Sequence, residues 1–183
     1  MQEMLSWKKL LSSDDYCAIP FINADGYHSK TVAYSIWHII RIEDIVVNSL
    51  IRRKKEVLYE NNFDKKIGAD IITIGDELVK QEIAEFSKKL NIEALYEYAL
   101  SVKASTDEWL KSIHYEDIKK KFGDDDKKRI SELGVVSDDE SAVWLIDYWC
   151  NKDISGLIKM PLSRHWIMHI EAANRIKEKL LDK

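Results

Sequence analysis

The sequence predicts an all-α protein, an up-and-down helical bundle, on three observations. Gly and Pro contribute only 6 and 2 of the 183 residues, well below average usage of about 7% and 5%, and these are the residues that interrupt helices. The chain is rich in Lys, Glu, Asp, Ile and Leu, with 45% hydrophobic and 33% charged residues, and its apolar positions recur at helical spacing in several long stretches. Those stretches are joined without a segment that reads as a strand. All-β sandwiches, Rossmann folds and collagen-like or disordered chains are thereby disfavoured, and the length fits one domain over residues 1–183.

A first amphipathic helix is expected from about Gln2 to Leu11, where Met4, Leu5, Leu10 and Leu11 alternate with Lys8 and Lys9. Ser12 to Gly26 reads as a connection, broken by Asp14-Asp15, Pro20 and Ala24-Asp25-Gly26. A second helix starts near His28 to Thr31 and runs at least to Ile51, with Leu58 as its far limit. It is apolar on almost every side (Val32, Ile36, Ile39, Ile40, Ile45, Val46, Val47), the pattern of a helix buried on more than one side or one that also makes a subunit contact. Asn61 to Gly75 reads as a polar loop. From Asp76 to Val102 the helical period resumes through Leu78, Ile83, Phe86, Leu90, Leu95 and Tyr98, with Asn91 the point where it kinks or divides, and it continues through Trp109 to Ile113. His114 to Asp139 is the most polar stretch. Its blocks Lys119-Lys120-Lys121 and Asp124-Asp125-Asp126 read as a solvated surface excursion. A short helix from Ala142 to Cys150, a turn from Asn151 to Gly156 and a last helix from Pro161 to Leu181 complete the chain. Pro161 suits the first position of that helix, where an N–H has no intrahelical partner to lose.

A formal net charge of −4 and the lack of a basic stripe offer nothing to a nucleic-acid backbone. No stretch approaches the ~18 consecutive apolar residues of a membrane span, and Met1 to Asp15 does not read as a signal peptide. A soluble, cytoplasmic protein is the expectation. Cys17 and Cys150 are too few and too far apart for a CxxC motif, and read as reduced thiols.

The most informative spacing is His165-x-x-x-His169 in the last helix. Positions i and i+4 lie some 40° apart, so the two imidazoles stand one turn above the other and can share a cation. Leu162, Ala172, Ile176 and Leu180 fall within roughly 60° of His165, which centres the pair on the core stripe. Burying imidazoles there costs about 1 to 3 kcal/mol for each unsatisfied polar group. Either a metal ion satisfies both, or each is a core histidine bonded to a carbonyl or carboxylate. His38, midway along the second helix, shares its face with Thr31, Tyr34, Ser35, Ile42, Ile45 and Ser49, a mixture that suits a pocket floor. Three imidazoles with open coordination positions form the pattern of a catalytic metal, whereas structural zinc is closed by four ligands. Tyr34, one turn before His38, is a pocket candidate that either donates a hydrogen bond to a bound ligand or packs in the core. A ferritin-like di-iron site is excluded, because no histidine has Glu three residues before it. His28 reads as a cap or surface group and His114 as solvated. Trp144, Trp149 and Trp166 are expected to pack the late segment. Glu43 and Asp44 lie too far round the second helix to join His38.

Trp37-His38-Ile39-Ile40-Arg41-Ile42-Glu43-Asp44 and Met160-Pro161-Leu162-Ser163-Arg164-His165-Trp166-Ile167-Met168-His169 resemble the two signature segments of the DinB-like superfamily, the DNA-damage-inducible-type proteins and metal-dependent thiol transferases. The resemblance implies a four-helix bundle, often homodimeric, in which His38, His165 and His169 bind a divalent cation. One branch, the isomerases, has Glu in place of one late histidine. This chain keeps all three, which favours an intact site without placing it in that branch. The implied activity is transfer of a low-molecular-weight thiol to an electrophilic small molecule, with zinc, nickel and iron all compatible with imidazole ligands. The alternative is a non-catalytic, dimeric metal-binding bundle acting in stress response, motivated by the apolar second helix.

Overall fold

The computed structural model describes residues 1–182, and among them there is no β-strand, only an isolated antiparallel bridge between Lys121 and Asp153. Helix α1 (Gln2–Trp7) is shorter than its apolar period implies, because the chain leaves the helix at Lys8. Within the expected connection lies α2 (Ser13–Cys17), started by a capping box in which Ser12 and Asp15 satisfy each other's backbone N–H groups. The second long helix, α3 (Val32–Asp44), is capped by the Thr31 hydroxyl and continues as a π-helical stretch over Ile45–Ile51. It stops short of Leu58, since Arg53 takes up a left-handed conformation (φ 53°). The expected polar loop contains two single turns, α4 (Val57–Glu60) and α5 (Phe63–Lys66).

Asn91 divides the next stretch completely. Its side chain caps α7 (Ile92–Ser112), and the separate α6 (Gln81–Lys89) precedes it. The charged excursion carries α8 (Asp124–Glu132), and its acidic block is only partly solvated, because Asp126 is buried and pairs with Arg53 and Arg129. Helix α9 (Trp144–Cys150) follows. The second half of the expected turn belongs to a helix, α10 (Ile154–Lys159), capped by Asp153. The last helix, α11 (Arg164–Leu181), begins three residues after Pro161, so that proline ends the preceding connection and does not open the helix.

Every residue of α3 is buried, Arg41, Glu43 and Asp44 included. Helices α2, α6, α7 and α11 all pack on it. The apolar circumference is therefore covered by the chain itself, which removes the sequence-based motive for a subunit contact. Glu43 accepts a hydrogen bond from Thr106 at 2.6 Å, and burial pushes its carboxyl up to about 7.

One face of α3 also holds a non-helical segment. Tyr34, Trp37, His38 and Arg41, spaced i, i+3, i+4 and i+7, donate hydrogen bonds to the carbonyls of Gly75, Thr73, Ile74 and Ile72, at 3.0, 3.1, 2.9 and 2.7 Å. Four consecutive carbonyls that no strand or helix satisfies thus find partners on a single helical stripe. Gly75 is required by this close approach: its φ is +88°, and a Cβ there would stand 3.0 Å from the Tyr34 ring.

The Arg41 guanidinium completes a buried cluster. It also donates to Glu56 (2.9 Å) and Tyr98 (3.2 Å), while Asp44 accepts from Tyr98, Asn48 and the backbone N–H groups of Val57 and Leu58. Removing one member of such a cluster leaves an uncompensated charge in a dry interior, at a cost of about 3–5 kcal/mol. Arg41→Met is accordingly expected to lower the urea-unfolding free energy by that amount, and Arg41→Met combined with Glu56→Gln to recover part of it; an unchanged midpoint in the single variant would show the cluster to be energetically idle.

Candidate metal centre

The three histidines singled out in the sequence meet. His38 and His165 are 127 positions apart, yet their Nε2 atoms lie 3.2 Å from each other, and the ligand atoms of His38, His165 and His169 all fall within 4.8 Å of one another. Two imidazole nitrogens each ~2.05 Å from a tetrahedral ion would be about 3.3 Å apart, so the His38–His165 spacing already matches and His169 needs only a small side-chain adjustment. The helical rise places His165 and His169 on successive turns, and packing of α11 against α3 brings them over His38. Tyr27, in the turn Gly26–His28, closes the far side edge-on to His169 at 4.7 Å.

Second contacts set the chemistry of His38. Its Nδ1–H donates to the Ile74 carbonyl at 2.9 Å, with an Asp76 carboxylate oxygen 3.5 Å away, so the proton is fixed on Nδ1 and the Nε2 lone pair faces the other two rings. Nδ1 of His165 and both ring nitrogens of His169 are buried and meet no partner among the described residues. Orphaned buried nitrogens cost stability, and a cation would engage one nitrogen of each ring, which relieves part of that cost. The residues therefore fit a divalent ion. Burial holds all three rings neutral, the form that ligates: the His38 imidazole is lowered to about 4, that of His165 to about 3, and that of His169 well below its usual range.

The centre opens into a cavity of about 430 Å³. Tyr34 lines it as the sequence suggested, but as a wall: its ring stacks on His38 with centroids 5.5 Å apart, and its hydroxyl is committed to the Gly75 carbonyl. Trp149 is core, as expected, and Trp166 packs half-buried against the core, whereas Trp144 is 51% exposed and lines the cavity. His114 is exposed, and half-buried His28 stands edge-on to Phe21 instead of capping a helix by its side chain. Sequence reasoning missed Tyr27, Lys30 and Asp76. Lys30 and Tyr34 precede His38 by eight and four positions, so the row Lys30, Tyr34, His38 was readable, while Asp76 arrives through a loop with no periodic signal. Burial raises the Asp76 carboxyl to about 6, opposed by Lys30.

A histidine kept neutral in the folded chain is protonated in the unfolded chain below about 6.5, so it contributes stability that is present above that pH and is lost as the pH falls towards the folded value. In metal-free protein, wild type should therefore lose stability relative to His169→Leu by up to ~1.4 kcal/mol per pH unit between pH 6.5 and 4.5. Denaturant titrations of both proteins across that range provide the measurement. A gap that does not change with pH would refute neutral burial of His169.

No protein-family model and no curated protein matches the chain. Among solved structures, it is similar over 100% of its length to a conserved protein from Enterococcus faecalis, at 14% identity and a TM-score of 0.63, with 91% of that chain covered. That likeness supports the helical fold.

Proposed function

We propose that this chain is a metal-dependent enzyme of the DinB-like kind, which transfers a low-molecular-weight thiol to an electrophilic small molecule at the three-histidine centre. The observation that carries the reading is the convergence of three buried, neutral imidazoles, two of them with unpartnered nitrogens, at the base of a cavity of small-molecule size. In the four-helix bundle this reading expects, α3, α6, α7 and α11 are the members, with α3 in contact with the other three.

His38, His165 and His169 would hold the cation, and zinc, nickel and iron all suit such ligands. A divalent ion there supplies Lewis acidity, which lowers the pKa of a thiol and raises its thiolate fraction, the attacking form. The chain's own task is positional. The Ile74 carbonyl fixes the His38 ring, Tyr34 backs it, and Tyr27, Trp149 and Pro161 narrow the space that water can enter. Neither cysteine lines this cavity, and burial pushes both thiols up, so the sulfur is supplied by the substrate.

Purified protein is expected to carry about one equivalent of divalent metal per chain, and His38→Ala to lose at least 100-fold in metal affinity, since three-ligand sites depend on every donor. Conjugation of cysteine to a chlorodinitrobenzene should fall to the spontaneous rate on chelation and in His38→Ala. Conjugation above the spontaneous rate that persists without His38 would end the thiol-transferase reading.

A further inference from the structure

Among the described residues, Lys30 is the one ammonium in the lining of the cavity. It is half-buried and lies over the Tyr34 ring at 4.9 Å, and among the described residues no oxygen accepts a hydrogen bond from it. Asp76 acts on it only through space, and burial draws its ammonium below the ordinary value. Lys30 is close enough to His38 and His169 to disfavour their protonation. A half-buried ammonium in a cavity wall with no protein acceptor is poised for an anion, because a hydrogen bond to a charged group is worth more than a neutral one. Elsewhere in the lining, Trp144 is 51% exposed although its indole N–H is already committed to the Ser141 carbonyl, and it meets Tyr148 edge-on at 5.4 Å. A large apolar ring surface held in place beside a cavity suits a planar apolar group.

We infer that the ligand of this cavity is amphipathic and anionic: a carboxylate or sulfonate sits on the Lys30 ammonium, and an apolar, planar part of the same molecule lies against Trp144 and Tyr148. This deepens the thiol-transferase reading and rests on it for the assignment of the cavity as the substrate site. Charge argues in the same direction. With a dication held by three neutral imidazoles, Lys30 adds a further positive charge against the single carboxylate of Asp76, so one thiolate leaves the cavity cationic and a second negative group on a substrate is favoured.

The test compares 3-phenylpropanoate with its uncharged amide by calorimetry, using metal-stripped and zinc-loaded protein. In the metal-stripped protein, where the carboxylate has no ion to bind, the acid is expected to bind at least tenfold more tightly than the amide. Lys30→Met should abolish that preference and Lys30→Arg should retain it, while Trp144→Leu weakens both probes alike by several-fold. Equal affinities for acid and amide, no binding of either, or a preference that survives Lys30→Met would overturn the anion site. Unchanged affinities in Trp144→Leu would overturn the placement of the apolar part. The two readings fail separately: equal affinities for acid and amide in the wild type with metal content and conjugation intact remove only the anion site, and a protein that takes up no metal but keeps the preference removes only the thiol-transferase reading.

Discussion

The docking of residues 72–75 along one stripe of α3 is the constraint from which the rest of the structure follows. Those four carbonyls belong to neither helix nor strand, and two of them, Ile74 and Gly75, are in buried residues, where an unpaired carbonyl costs stability. Tyr34, Trp37, His38 and Arg41 satisfy them in turn. The same contacts fix the rotamers of those four side chains, so the segment and the helix face define each other. Arg41 carries the arrangement outward to Glu56 and Tyr98, and Asp44 carries it to the start of α4. A helix that reads as plain core thus has one stripe of polar side chains, each with a stated partner.

His38 is a member of that stripe before it is a member of the metal centre. The bond from Nδ1 to Ile74 decides the tautomer, and the tautomer decides that Nε2 faces His165 and His169. A metal ligand is oriented best when its support belongs to the fold and does not depend on the ion. Asp76 and Gly75 follow Ile74 directly, so the segment that orients the ligand also brings a carboxylate to the cavity and closes it behind Tyr34.

Legibility of this protein in its sequence depended on whether a feature was local. His165 and His169 are one turn apart, so a period of 3.6 residues was enough to pair them and to place them on the core side of α11. His38 was found because its face mixed apolar and hydroxyl residues. The helix limits were less legible where a single side chain decides them. Ser12 and Asp15 build α2 inside an expected connection, Asp153 starts α10 inside an expected turn, and Asn91 separates two helices that share one apolar period. Capping outweighs periodicity at such positions, because it satisfies N–H groups that the apolar pattern does not register. Asp126 was misjudged for a related reason: in sequence it is one of three identical charges, and only the fold brings Arg53 and Arg129 to it. Asp76 had no pattern to reveal it, since its meaning arises from a cavity formed by distant segments, whereas Lys30 stands in a readable row with Tyr34 and His38.

The imidazole nitrogens left without partners gain their sense from this division of labour. His38 is fully provided for by the fold, whereas His165 has only the contact of its Nε2 with His38 and, among the described residues, His169 has no hydrogen-bond partner. Groups of that kind persist when the surrounding structure is strong enough to carry their cost, and they concentrate where a ligand will meet them. Here the support is the α3 stripe and the Arg41 cluster beneath it, both far more completely satisfied than the site above. The gradient from a saturated polar core to an unsaturated cavity floor is what separates this histidine trio from ordinary core histidines. It accounts for stability and for a three-histidine cluster that could hold a metal ion with one arrangement of residues.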